Sequence, residues 1–276
     1  MRLVKAEVVK LLTTNTWWLF ALGAFVTWMA TFALNATVAH FTMGASTPEG
    51  ASAEDAANLA VVGDQIYQAA NLYTSGQLFG LLFVVLLGIV MVTSEFYHQT
   101  VTSTFLTTPH RTAVISAKLI VAGFAGLLFW VVTTGLNIPA TMIFLQAENL
   151  PTHLGDADVL RAILLNGLAY VLWGIFGVGI GVLIRSQVAA TVTAVLAYLL
   201  GTALIGVLFT LLAGWLDQDW IEKIQYGLPS VASSLMVAGR NLPNQPDYWV
   251  GAVVLIVWAV VTGTIGTLIT RKRDIS

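Results

Sequence analysis

The chain has 276 residues, of which 57% are hydrophobic and 9% charged, against about a quarter charged in an average soluble domain. So little polar surface cannot coat a soluble globule, and the formal net charge of −2 says less than where the charges lie. With no cysteine in the chain, disulfides, thiol catalysis and cysteine-based zinc sites are excluded.

Residues 1–14 read as an amphipathic helix. Val4, Val8, Leu11 and Leu12 recur at helical spacing, while Arg2, Lys5 and Lys10 take the polar side; such a helix can lie in the cytoplasmic interface, and a solvated start of the first membrane helix fits the same residues. The charged start and the length of the first apolar run do not fit a cleavable signal. Six apolar runs follow, at residues 17–39, 72–93, 113–143, 163–184, 188–213 and 249–269. Each is near or above the ~20 residues that cross a hydrocarbon core as helix. They are apolar all round, without the ~10-residue alternation of a membrane barrel. The expected fold is therefore all-α and integral to the membrane, one transmembrane domain over residues 1–276. Pro139 is expected to kink the third span. Only Arg185, Ser186 and Gln187 separate the fourth and fifth, which predicts a tight helical hairpin.

The segments between spans differ. Residues 41–71 are rich in Ala, Gly, Ser and acids, with helix expected near 54–70, and residues 146–160 are short and acidic. Residues 214–248 carry Trp215, Trp220, Ile221, Ile224, Leu228, Val231, Leu235 and Met236. That is too apolar for a free loop and too broken for a seventh span. Short re-entrant helices before the last span are expected there, because irregular backbone at membrane depth must be packed in protein.

Charge placement orients the bundle. With the N-terminus inside, the inner segments hold nine cations: Arg2, Lys5, Lys10, Arg111, Lys118, Arg185, Arg271, Lys272 and Arg273. The outer segments hold three, Arg161, Lys223 and Arg240. The positive-inside rule then sets both termini in the cytoplasm.

The longest inner loop, residues 94–118, opens on Glu95 directly after an apolar helix. Phe96, Val101, Phe105 and Leu106 share part of a helix face, and Pro109 ends that segment. Arg111 and Lys118 stand where the third span enters the membrane. The pattern is that of a short cytoplasmic helix between two spans, able to take force from a cytosolic partner. An ordinary interfacial turn with snorkelling cations fits the same residues.

The order Glu95, then His98-x-Thr100, then Thr107-Thr108-Pro109-His110-Arg111, then Lys118 resembles the first cytoplasmic loop of ABC-2 type transporter permeases. These are the membrane subunits of many bacterial exporters. The start Glu7-Val8-Val9-Lys10-Leu11 is similar to the short Glu-x-x-Lys-Leu helix before the first span in that family. The ending Arg271-Lys272-Arg273-Asp274 is similar as well. Gln99 is a departure, since many relatives carry Gly before the Thr. The resemblance implies a type V exporter fold in the bacterial plasma membrane. It implies two permease subunits, here a homodimer, paired with two copies of a cytosolic ATP-binding subunit. The helix between spans two and three would be the coupling helix, with Glu95, His98, Thr100, Phe105, Pro109, Arg111 and Lys118 as coupling residues. By the same analogy the second and fifth spans would line the path of a small or amphipathic substrate. Gln77, Phe79, Phe83, Thr191, Tyr198 and Thr202 are then candidates for its walls.

No Gly-Lys dipeptide occurs, so the chain lacks a P-loop of the G-x-x-x-x-G-K-[ST] form. If ATP drives transport, ATP and Mg sit on the partner subunit. The chain itself binds no cofactor in this reading and is not an enzyme. H-E-x-x-H and G-x-S-x-G are absent too. Asp156-Ala-Asp158 and Asp217-Gln-Asp219 read as solvated loop acids rather than metal ligands. The span centres hold no ionisable residue, which argues against a proton-coupled carrier. Asn35, Gln77, Asn137, Asn166 and Tyr170 read first as helix–helix hydrogen-bonding groups. A secondary carrier or channel, or a membrane anchor for an ATPase, are the alternatives. A carrier predicts an inverted internal repeat, and the two halves show no convincing match.

Overall fold

The structure is a computed structural model that describes residues 2–14, 16–43, 52–100, 111–216, 218 and 220–272. All regular structure among them is helical: α1 (Arg2–Thr13), α2 (Thr16–Thr42), α3 (Ala53–Val62), α4 (Gln65–Tyr73), α5 (Gln77–Tyr97), α6 (Arg111–Ala147), α7 (Ala157–Leu183), α8 (Gln187–Leu196), α9 (Thr202–Leu216), α10 (Trp220–Lys223), α11 (Pro229–Val237) and α12 (Tyr248–Lys272). A π-helical turn, Ala197–Gly201, joins α8 to α9, and a 3-10 turn, Ile224–Gly227, precedes α11. Six stretches are long and apolar enough to cross a membrane: Thr16–Thr42, Gln65–Tyr97, Thr112–Ala147, Ala157–Leu183, Gln187–Leu216 and Tyr248–Ile269. The protein is a multi-pass membrane protein. The end that carries α1 is called the near end below, and the other the far end.

The spans are not equivalent. Most of the apolar stretch of the second and fourth is buried, 67% and 61%, against 6% for the first and fifth. Lipid is as apolar as leucine, so burial alone does not choose the central pair; close backbone approach does. A side chain on Gly177 would collide with the Val85 carbonyl, and one on Gly88 would meet the Gly174 carbonyl at 2.6 Å. Along this seam Leu81, Val84, Val85 and Ile89 of α5 pack with Tyr170 and Trp173 of α7. The fifth span leaves its neighbour. Its connection to α7 is as short as predicted, with Ser186 capping α8, but the helix leans chiefly on α5. It touches α7 through an edge-on contact between Tyr198 and Trp173, centroids 4.9 Å apart. The hairpin is thus tight at its turn and open along its length. α6 runs through Pro139 as one continuous helix.

The second span starts earlier than its hydropathy suggests and is broken. Thr74, Ser75 and Gly76 separate α4 from α5, and Gly76 takes φ 83°, which a side chain resists. The break frees backbone groups in the bundle interior, and neighbouring spans satisfy them. Asn137 Nδ2 donates to the Ser75 carbonyl at 3.0 Å and Asn35 Nδ2 to Ser75 Oγ at 2.9 Å. Trp28 Nε1 donates to Asn137 Oδ1 at 2.7 Å. Asn35 and Asn137 therefore do make the helix–helix hydrogen bonds expected of them.

At the far end the connecting segments are packed in protein. Arg240 pairs with Asp64 at 2.9 Å, Arg161 donates to the Gly239 carbonyl at 2.8 Å, and Trp173 Nε1 donates to Ser233 Oγ at 2.6 Å. The segment before the last span is α10, the 3-10 turn and α11, with α11 packed on α12 and α7.

Candidate functional site

α1 presents Val4, Val8 and Leu11 to an apolar cluster formed by Met91 and Val92 of α5, Ile115 and Val121 of α6, and Val182 of α7. Glu7 lies on the same stripe, one helical turn from Val4 and Leu11, and is buried. A buried carboxylate needs a cation. It finds two.

Lys118, only 2% exposed, sits beneath α1. Its Nζ donates to Glu7 Oε2 at 2.7 Å, to Glu95 Oε1 at 2.9 Å and to the Met91 carbonyl at 3.0 Å. An ammonium has three protons, and these contacts use all of them. Lys10, half exposed, closes the ring from the solvent side, 2.9 Å from Glu7 Oε1 and 2.7 Å from Glu95 Oε1. The four side chains balance in charge and join three elements: α1, the near end of the second span and the near end of the third. Burial works against the Lys10 ammonium, but Glu95 and Glu7 outweigh it and hold its pKa above the ordinary lysine value. A cavity of about 540 Å³ opens beside the ring, lined by Ser94, His98 and Gln187 as well as Glu7, Lys10 and Glu95.

Two of the predicted coupling residues, Glu95 and Lys118, therefore meet. Their charges are spent inside the protein, not presented at its surface. His98 is exposed, edge-on to Tyr97 at 5.0 Å. Thr100 N–H donates to the Glu95 carbonyl at 2.9 Å and closes the end of α5. Gln99 between them takes φ 55°, the left-handed region that favours glycine. Phe105, Pro109 and the predicted helix around them lie outside the described residues, as does the Arg111 side chain. Phe96 packs against the same apolar cluster as α1, with the Arg185 guanidinium 5.6 Å from its ring centre.

The six predicted pathway residues do not gather. Gln77 lines a polar cavity at the far end, and Phe79, Phe83, Thr191, Tyr198 and Thr202 do not line it. Phe83 faces the first span, its ring 5.9 Å from that of Phe20. Phe79 packs against the central core. Thr191 turns back to the Gln187 carbonyl at 2.8 Å. Tyr198 is buried on Trp173, and Thr202 meets Ser230 at 2.6 Å. Of the acid pairs, Asp156 bonds His153 at 2.6 Å and Asp158 bonds Arg161 at 3.0 Å. Asp217 and Asp219 lie outside the described residues.

Sequence reasoning missed Glu7 and Lys10 as members of the ring. The signal was present: at position 7 an acid interrupts an apolar stripe of spacing i, i+4, i+7, and only a buried cation makes that tolerable. Compared with protein families and with curated proteins, the chain matches none.

Proposed function

We propose that this chain is the permease subunit of an ATP-driven exporter in a bacterial plasma membrane. It works as a homodimer with two copies of a cytosolic ATP-binding subunit, which hold ATP and Mg. Both termini and the near end face the cytoplasm, and α1 lies in the inner interface. The cargo is a small or amphipathic molecule.

The buried ring of Glu7, Lys118, Glu95 and Lys10 supports this best. The loop from His98 to Arg111 joins α5 to α6, and the ring ties the two ends of that loop together. If α5 moved without α6, Glu95 would leave Lys118 short of a carboxylate in a buried site. Breaking such a pair by loss of one partner costs about 3–5 kcal/mol. A push on the loop therefore moves α1, α5 and α6 as one body. That is what a coupling device requires: force received at one point and delivered to two spans without slippage. The exposed first and fifth spans leave apolar surface for lipid and for a second copy. The missing P-loop sends ATP binding to another chain.

The test is affinity purification of the tagged full chain in a mild detergent. The eluate is expected to hydrolyse Mg-ATP, with the ATPase identified by mass spectrometry. In inside-out vesicles Glu95→Gln is expected to keep the ATPase bound and active while ATP-dependent accumulation of an amphipathic dye falls. Full-rate accumulation with no ATPase present would overturn the proposal and favour an ion-driven carrier.

A further inference from the structure

The far end holds a second cavity, of about 380 Å³, within the ~300–1,000 Å³ range of small-molecule sites. α4 supplies Tyr67 and Asn71, the start of α5 supplies Gln77, and the 3-10 turn supplies Gln225 and Tyr226. Gln245 closes it from the segment before α12. Five of these six are half-buried, and Gln245 is exposed. No side chain of the six has a hydrogen-bond partner within the protein among the described residues. Elsewhere in the bundle Asn137 and Asn35 find partners on other spans, while the buried Asn166 leaves its Oδ1 without one among the described residues. What sets the far end apart is convergence: six neutral polar groups without a protein partner surround one hollow, from three helical elements and one connecting segment. Burial, and then the charge of Glu222, push the Tyr226 phenol up, so it stays a donor at neutral pH.

The lining also limits what fits. No Asp, Glu, Lys, Arg or His lines the cavity among the described residues, so nothing there neutralises a desolvated ion of either sign. Val231, Leu235 and Leu242 add apolar surface to the lining beside the amides. A ligand matched to this surface is uncharged, rich in donors and acceptors along its edge, and apolar across one face. A pyranose ring has that pattern, with hydroxyls at the rim and C–H groups on the face. Asn and Gln amides offer a donor and an acceptor together, as a vicinal pair of hydroxyls requires.

We infer that the far-end cavity between α4, the 3-10 turn and α11 is a binding site for a neutral hexopyranose, either free or as the headgroup of a glycolipid. The inference concerns binding at the far end and holds whether or not ATP drives the protein; the ring at the near end takes no part in it.

The test uses the full chain in phosphatidylcholine nanodiscs, purified without sugar detergents. Maltose, titrated by calorimetry, is the free-sugar probe. Monoglucosyl diacylglycerol in the disc, read by native mass spectrometry, is the lipid probe, with phosphatidylglycerol as the charged control. Saturable binding of at least one sugar probe is expected, weakened about tenfold by Gln225→Leu and further by Gln77→Leu with Gln225→Leu. Gln225 lies on a short surface turn, so Gln225→Leu alone keeps the test independent of folding; the melting midpoint is measured beside it. Binding of maltose points to free sugar, and binding of the glucolipid alone to a headgroup. Failure of both probes to saturate, equal binding of phosphatidylglycerol, or sugar binding unchanged in Gln225→Leu overturns the inference. Glu95→Gln is expected to leave sugar binding unaltered while it uncouples ATP hydrolysis, so the two proposals fail separately.

Discussion

Replacing Lys118 by Met removes one positive charge from a ring that is otherwise balanced, and keeps an unbranched side chain of similar length. Glu7 and Glu95, both buried, are then left to share Lys10. Loss of one partner from a buried pair costs about 3–5 kcal/mol, because the remaining charge stays desolvated. For a chain of this size, 3 kcal/mol lowers the melting midpoint by roughly 6–12 °C. Lys10→Met takes the same charge from the same two carboxylates, but Lys10 is half in solvent and Lys118 remains beneath. Its cost is about 1 kcal/mol or less. Adding Glu7→Gln to Lys118→Met restores neutrality, leaving Glu95 with Lys10. The double variant should therefore be more stable than the sum of the singles by about 1–3 kcal/mol. Intrinsic tryptophan fluorescence during thermal unfolding in detergent reads all five proteins: the wild type, Lys118→Met, Lys10→Met, Glu7→Gln and the double variant. Equal midpoints for Lys118→Met and Lys10→Met, or strict additivity in the double, would refute the account of a buried ring.

Lys10 makes a second, pH-dependent prediction. Its folded pKa is raised above the unfolded value near 10.5, so its contribution is complete below that pH and fades as pH rises through the folded value. The midpoint of the wild type should fall toward that of Lys10→Met above about pH 10.5, and the two curves should run parallel at neutral pH. Gln99→Gly relieves a left-handed backbone (φ 55°) and should raise stability by about 1 kcal/mol in the same melting assay. Asn137→Leu leaves the Ser75 carbonyl and Trp28 Nε1 without a partner at the break in the second span. About 1–3 kcal/mol of destabilisation is expected, with a shift in the Trp28 fluorescence maximum. Gly177→Val drives a branched side chain into the Val85 backbone; overpacking of about 1–3 kcal/mol should appear as loss of monodisperse protein on gel filtration.

The six spans were legible because a run of twenty apolar residues has few alternatives in a chain with so little charge. Which spans form the centre was not, since all six are comparably apolar. The answer lay in where glycines let α5 and α7 touch: Gly177 lies against the Val85 backbone and Gly181 against that of Ile89. The break at Thr74–Gly76 was hidden because Tyr73, Thr74 and Ser75 do little to lower a hydropathy average. Glu95 and Lys118 were found by their order along the chain, but their pairing was not, because 23 residues of separation say nothing about distance. Glu7 entered only through the Glu-x-x-Lys-Leu resemblance, since a helix read alone does not reveal which of its polar residues has a buried partner. The predicted pathway residues scattered because analogy named spans, whereas packing assigns side chains one at a time.

The ring also imposes an order on how the protein is made. Glu7 and Lys118 lie 111 residues apart, and at the usual pace of ~5–20 residues per second the lysine follows the glutamate by roughly 6–22 s. Throughout that interval the first helix has no ammonium on another element to dock on, and its carboxylate stays hydrated beside Lys10. The first two spans must therefore insert while their own leading segment is still undocked. Arrival of the third span supplies the missing charge, and the fourth brings Val182 to complete the apolar seat, so the ribosome has long passed the first helix before that helix finds its place.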